Sequence, residues 1–89
     1  MNEIHEQIIQ AAVEEYGREN QMRMLQEECG ELIVATSHYL RKREYAEDEV
    51  VEELADVLIM CEQIKFALGI TRMVAVMIDR KLGRLASKL

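Results

Sequence analysis

The sequence predicts an all-α domain of four helices, and three observations support this class. The chain has 89 residues, which is the size of a single domain. It holds no proline and only four glycines, so few positions interrupt a helix. Aromatic residues make up 4% of the chain, fewer than is typical of β-sandwiches and barrels. We therefore expect residues 1–89 to form one helical domain.

The first two helices are predicted from apolar spacing and from glycine. The first is expected over Asn2–Tyr16, where apolar residues recur along one helical face, and Gly17 ends it. The second is expected over Asn20–Lys42. The segment Arg43–Asp48 is polar and has no apolar period, which predicts a loop.

The last two helices are predicted from capping residues and a second glycine. Asp48 is expected to cap a third helix that continues to about Leu68, with Gly69 ending it. Thr71 is expected to cap a fourth helix that runs to Leu89. Connections this short predict that neighbouring helices pack antiparallel.

Composition argues against several functions. The net charge is −6, whereas a protein that binds a nucleic acid polymer or an anionic membrane needs a concentrated basic surface. No run of 18 apolar residues exists, and the first residues lack the pattern of a signal peptide. We expect a cytoplasmic protein in which Cys29 and Cys61 are reduced core thiols.

Two acidic blocks repeat at an offset of 25 residues, over Gln26–Ala35 and Val51–Met60. Each reads Glu-Glu-x-x-acid and then four apolar residues. The first and last acids of each Glu-x-x-acid pattern lie one turn apart on a helix, at the edge of an apolar arc. The second and third predicted helices therefore present acids at corresponding positions of one face. These acids are Glu28, Glu31, Glu53 and Asp56.

A bound divalent cation is the simplest way to balance the negative charge of these acids. Neither block contains Lys or Arg, and isolated carboxylates on an apolar helix are costly unless something balances their charge. Four hard oxygen ligands suit Mg²⁺, Mn²⁺ or Ca²⁺ better than zinc. A helical di-iron site would need Glu-x-x-His, and neither His5 nor His38 follows a Glu at that spacing. The competing interpretation is a solvated acidic face, or acids paired with basic residues of another helix.

The fourth predicted helix is basic. Lys81, Arg84 and Lys88 recur at steps of three and four residues and form one cationic stripe. Ordinary solvation explains such a stripe, but it could also hold a polyphosphate that faces the acids. No glycine-rich phosphate loop is present, so side chains and metal would have to hold the phosphates.

The acidic blocks resemble those of the MazG-like, all-α nucleoside triphosphate pyrophosphohydrolases. Glu27-Glu28-Cys29-Gly30-Glu31-Leu32 and Glu53-Leu54-Ala55-Asp56-Val57-Leu58 are similar to the ExxE and ExxD patterns of that family, and the resemblance covers residues 18–88. The segment Asp79-Arg80-Lys81-Leu82-Gly83-Arg84 is similar to the family's Asn-x-Lys-Phe-x-Arg, with Asp79 in place of Asn.

The resemblance implies an activity and a role for each matching residue. The activity is hydrolysis between the α and β phosphates of a nucleoside triphosphate, giving the monophosphate and pyrophosphate. Lys81 and Arg84 would bind phosphate, and Glu27 would orient or deprotonate the attacking water. The residues implied to bind Mg²⁺, or Mn²⁺ in its place, are Glu28, Glu31, Glu53 and Asp56.

Assembly and base recognition are less well encoded. The stretch 54–61 is apolar nearly all round, and a chain of this length has a modest core, so we expect a homodimer or a dimer of dimers. Tyr39 and Phe66 are expected in the core. The alternatives to an enzyme are a non-catalytic helical interaction or regulatory protein, a degenerate MazG-like subunit, and a helical bundle that only binds metal.

Overall fold

A computed structural model describes residues Met1–Leu89 and contains four α-helices and no strands. The all-α, four-helix prediction is therefore confirmed. None of the helices is both long enough and apolar enough to cross a membrane. Their bounds are α1 Glu3–Tyr16, α2 Arg18–Leu40, α3 Ala46–Leu68 and α4 Thr71–Lys88.

Local capping explains where α1 begins and where α1 and α3 end. The side-chain oxygen of Asn2 accepts a hydrogen bond from the backbone N–H of His5 at 2.8 Å. Gly17 has φ 87°, and its N–H donates to the Val13 carbonyl at 2.9 Å. Gly69 ends α3 in the left-handed conformation, which glycine adopts at no steric cost. The predicted stops at both glycines are confirmed.

Two predicted caps are wrong. The third helix begins at Ala46, so Asp48 lies inside its first turn instead of capping it. Acidic residues are stabilised in the first turn by the positive end of the helix dipole. Glu47, Asp48 and Glu49 all lie in that turn, which favours a helix that begins before Asp48. Thr71 is the first residue of α4, and the residue before it, Ile70, accepts the first hydrogen bond from Val74 N–H at 2.9 Å.

An antiparallel hairpin of α2 and α3 is the centre of the molecule. A side-chain hydrogen bond crosses it near each end. At one end Gln21 Nε2 donates to Gln63 Oε1 at 2.6 Å, and at the other His38 Nδ1 lies 2.9 Å from Glu49 Oε2. The first helix packs against both α2 and α3. These contacts fix which residues of α2 face which residues of α3.

The core is small and lies between α1, α2 and α3. The fourth helix contributes no buried residue and contacts α3 alone, so the expected packing of neighbouring helices holds for the first three only. Tyr39 is 55% exposed and Phe66 38%, so their predicted core positions are wrong, because the neighbouring helices cover each ring only in part. The eight buried residues are Ile9, Val13, Gln21, Ala35, Ala46, Met60, Gln63 and Ile64.

The chain exposes more surface than a compact monomer of its mass. Its accessible area is 7213 Å², whereas a folded monomer of this mass has about 5,400 Å². Its radius of gyration is 15.3 Å, against about 12 Å for a compact domain of this length. The difference is about 1,800 Å² by the same relation, and many large apolar side chains are among the exposed residues.

Candidate metal centre

Three of the predicted acids meet between α2 and α3. Glu28, Glu53 and Asp56 each offer one carboxylate oxygen, and these oxygens all lie within 4.8 Å of one another. Glu28 and Glu53 are half-buried, and Asp56 is exposed. Such a separation allows a single cation to contact all three groups.

The hairpin register explains why these residues meet. Glu53 and Asp56 are one helical turn apart on α3, so both side chains project to the same side. The bonds from Gln21 to Gln63 and from His38 to Glu49 set α2 at the height where Glu28 faces that turn. Sequence spacing thus places acids on one edge of each helix, and the hairpin brings the two edges together.

Two of the carboxylate oxygens lack a hydrogen-bond donor although they are covered. Glu28 Oε2 and Glu53 Oε2 are buried and have no partner. The two ion pairs of the chain, His38–Glu49 and Lys65–Glu62, leave both residues out. A covered anionic oxygen without a donor costs free energy. A cation at the centre would supply the missing counter-charge to both oxygens at once, so the donor set fits a metal ion.

The pKa values of two of these carboxyls also reflect the missing counter-charge. Burial of the carboxyl raises the pKa of Glu28 to about 7, and repulsion from Glu31, Asp56 and Glu53 adds to this shift. Burial also raises the pKa of Glu53, again with repulsion from Glu31 as a further cause. The uncompensated site therefore holds protons more tightly than free carboxyls do.

The fourth predicted ligand, Glu31, lies beside the other three and is exposed. It is close enough to raise the pKa of both Glu28 and Glu53. An open cleft of about 570 Å³ adjoins the cluster, with the exposed Glu27 on its wall. A larger cleft, of about 650 Å³, lies at the α2–α3 loop, away from the acid cluster. The residues that line the smaller cleft are Glu27, Gly30, Glu31, Val34, Glu49 and Glu53.

No protein-family model, no curated protein and no solved structure matches this chain. The similarity to the MazG-like pattern therefore rests on the two acidic blocks and on the segment Asp79–Arg84.

The predicted phosphate-binding residues are not part of the cluster within one chain. Lys81 and Arg84 are exposed on α4, which contacts neither α1 nor α2. Neither residue forms an ion pair. Asp79 is also exposed on α4. Their role in binding phosphate stays a prediction, and any contact with the acids requires a rearrangement of α4 or another chain.

His38 and Glu49 form a polar pair beside the acids that the sequence pattern did not predict. Glu49 precedes Glu53 by one turn and lines the same cleft, and His38 lies seven residues after Glu31. The imidazole holds the Glu49 carboxylate, so Glu49 differs from the unpartnered acids around it. Helical phase places both residues near the acidic edge, and that signal could have identified them.

The two cysteines are free and half-buried. Burial raises the pKa of the Cys61 thiol, and the neighbouring Cys29 adds to the shift, so the thiol stays protonated at neutral pH. Neither sulfur belongs to the group of possible metal ligands. The prediction of thiols within the core is wrong, because both are partly accessible.

Proposed function

We propose that this protein is a Mg²⁺-dependent nucleoside triphosphate pyrophosphohydrolase of the MazG-like kind. The observation that carries the proposal is the convergence of Glu28, Glu53 and Asp56, with two covered carboxylate oxygens that no group of the chain neutralises. An acid cluster on a solvated surface needs no compensation, whereas this one does. Glu31 completes the proposed ligand set.

The ligand chemistry supports magnesium. Carboxylate oxygens are hard ligands, which Mg²⁺ and Mn²⁺ prefer, and no sulfur or imidazole lies in the set. Mg²⁺ in phosphate-processing sites keeps coordination positions for water and for substrate phosphates, which requires that the site be open on one side. The open cleft beside Glu31 and Glu53 provides that side.

The proposed reaction adds water to the α-phosphorus and breaks the bond to the oxygen that bridges the α and β phosphates. The products are the nucleoside monophosphate and pyrophosphate. When bound, the cation neutralises phosphate charge and lowers the pKa of a water molecule. The four acids hold that cation, and Glu27, exposed in the cleft, orients the attacking water or accepts its proton. Lys81 and Arg84 hold the phosphates.

We also propose a homodimer or a dimer of dimers as the working form. The support is the excess accessible surface and the apolar side chains that stay uncovered on α2, α3 and α4. Exposed apolar area of this extent is typical of a subunit of an assembly. The same area would suit a regulatory interaction protein, which would bind a partner without hydrolysing nucleotides.

Two measurements test the function. Thermal unfolding with Mg²⁺ or Mn²⁺ against EDTA measures metal binding, and a panel of nucleoside triphosphates assayed for pyrophosphate release measures catalysis. We expect a higher melting temperature with metal and metal-dependent pyrophosphate release. A metal-induced shift without pyrophosphate release would leave a metal-binding helical bundle, and the absence of both would favour the non-catalytic interaction protein.

A further inference from the structure

The cleft at the loop between α2 and α3, here called the loop cleft, has a volume of about 650 Å³, which is enough for a small organic ligand. Two aromatic rings line it, those of Tyr39 and Tyr45, which are 55% and 78% exposed. It shares no lining residue with the cleft beside the acid cluster. Glu47 of the loop cleft and Glu49 of the other are about 200° apart around α3, so the two clefts open on different sides of that helix.

Charges of both signs line the loop cleft without pairing. Lys42 and Arg43 come from the loop, Glu47 and Asp48 come from the first turn of α3, and all four side chains are exposed. The two ion pairs of the chain do not include them, so no carboxylate oxygen lies within 4 Å of either cation. None of the four makes a side-chain hydrogen bond. Cations and acids held apart in this way can bind different parts of one ligand.

Backbone hydrogen bonds fix the loop in a conformation that its side chains do not favour. The N–H of Arg43 donates to the His38 carbonyl at 3.1 Å, and the N–H of Ala46 donates to the Arg43 carbonyl at 3.3 Å. Lys42 and Tyr45 have φ 60° and 61°, in the left-handed region that glycine adopts at lower cost. Strained residues of this kind cluster at binding sites. Both of them line the loop cleft, so the strain lies in residues that a ligand would contact.

An apolar opening of about 480 Å³ continues from the loop cleft along α3. Tyr39 and Glu47 line both spaces, and the second adds Val50 and Val51, of which Val51 is 62% exposed. The two openings together offer cations, carboxylates, and aromatic and aliphatic surface. A ligand that matches all of these has an anionic group, N–H or O–H donors, and a flat ring.

We propose that the loop cleft binds a free purine nucleoside monophosphate. The phosphate contacts Lys42 and Arg43, and the base stacks on the exposed ring of Tyr45. Glu47 and Asp48 accept hydrogen bonds from N–H groups of the base or from sugar hydroxyls. A nucleotide within a single strand presents the same groups, but the net charge of −6 opposes a polymer of phosphates and favours the free nucleotide. This inference does not rest on the proposed function, because the acid cluster takes no part in it.

Calorimetric titration with guanosine monophosphate (GMP) in EDTA tests the loop cleft while no metal can link phosphate to the acid cluster. We expect GMP to bind, and ribose phosphate, which lacks the base, to bind at least about fivefold more weakly. Phosphocholine has a phosphate and a cation but no flat ring, and should also bind more weakly. No binding of GMP, or binding of either control as tight as that of GMP, would overturn the proposal. A single-stranded oligonucleotide that binds more tightly per nucleotide than GMP would overturn the assignment to a free nucleotide.

Substitutions of tyrosine locate the base. Tyr45→Ala removes an exposed ring and should weaken GMP binding by about fivefold or more, whereas Tyr45→Phe keeps the ring and should keep the affinity. Tyr16→Ala makes the same change at an exposed tyrosine before the start of α2, at the opposite end of the hairpin, and is the matched control. Unchanged affinity in Tyr45→Ala, or an equal loss in Tyr16→Ala, would contradict the proposed site.

A substitution of arginine locates the phosphate. Arg43→Gln should weaken the binding of GMP but not that of guanosine, which has no phosphate. Arg41→Gln removes a neighbouring exposed cation that does not line the loop cleft, and should leave both affinities unchanged. Equal effects of Arg43→Gln on the two ligands would overturn the placement of the phosphate. These variants keep the acid cluster, so they should release pyrophosphate as the parent does. If the parent binds GMP in EDTA but hydrolyses no nucleotide with metal, the proposed function fails and the nucleotide site stands.

Discussion

Gln21 and Gln63 are joined by a buried hydrogen bond between α2 and α3, with 2.6 Å between Nε2 of the first and Oε1 of the second. They are 6% and 5% exposed, and they are the only polar residues among the eight that are buried. Gln21 Nε2 and Gln63 Oε1 have no other hydrogen-bond partner, so a hairpin shifted by one residue would leave both of these buried atoms unpaired. The bond therefore selects the register in which Glu28 faces Glu53 and Asp56.

Breaking this bond from one side should destabilise the protein more than replacing both partners. Gln21→Met leaves the Gln63 amide buried without its partner, and we expect a loss of about 1–3 kcal/mol in the free energy of unfolding. The double variant Gln21→Met/Gln63→Met removes both amides and should recover part of that loss. Urea titration of the single and double variants measures the difference. A double variant as unstable as the sum of the two single variants would mean that the amides do not interact.

Neutralising one acid should stabilise the metal-free protein and abolish its response to metal. In EDTA, we expect Glu53→Gln to unfold at a higher temperature than the parent, because repulsion with Glu28 and Asp56 is relieved. With Mg²⁺ it should show no stabilisation and no pyrophosphate release. Glu52→Gln, which makes the same charge change at the neighbouring exposed position, is the control and should keep both. Metal-dependent turnover in both Glu53→Gln and Asp56→Asn would contradict the assignment of these ligands.

The metal-free protein should lose stability as the pH rises from about 4.5 to about 7. The folded state holds the Glu28 proton up to about pH 7, whereas the unfolded chain releases it near 4.5, so in this window the folded state binds more protons. The raised pKa of Glu53 acts in the same direction. Thermal unfolding in EDTA across this range measures the slope, and Glu28→Gln should flatten it. A parent protein whose stability has the same pH dependence as that of Glu28→Gln in this window would refute the prediction.

Removing the His38 imidazole should weaken the loop end of the hairpin only modestly. The pair with Glu49 is partly exposed, and such pairs contribute about 0.2–1 kcal/mol. We expect His38→Ala and Glu49→Gln each to lower the free energy of unfolding by an amount in that range. The double variant should cost less than the two single losses added together. Strict additivity in this double-mutant cycle would show that the two side chains do not stabilise each other.

The positions of the helices along the chain could be predicted from the sequence more reliably than the way in which the helices pack. Glycine positions and apolar periods predicted the four helices, with bounds within two residues for most ends. The caps at Asp48 and Thr71 were wrong because first-turn acids and a preceding backbone carbonyl provide alternatives that a side-chain rule ignores. The position of α4 could not be predicted, because its amphipathic pattern states that a face is buried but not against which surface.

The acidic site could be predicted in part for a similar reason. One-turn spacing places Glu53 and Asp56 on one edge of a helix, and the repeat suggests that Glu28 faces them. Which acids are covered depends on the hairpin register, which is set by Gln21 and Gln63, and nothing in the acidic blocks encodes that bond. The contact between His38 and Glu49 could not be predicted, because it joins two helices across a loop whose length the sequence gives only approximately.

Because α4 is isolated, we expect the folding of this helix to depend on the concentration of the protein. An 18-residue helix without tertiary support is marginal in water, so in a dilute solution the C-terminal segment is expected to interconvert between coil and helix. If the proposed second copy covers α4, association makes that segment rigid, and the rigid population grows faster than linearly with the concentration of the chain. We then expect proteases to cleave this segment more readily in dilute than in concentrated protein.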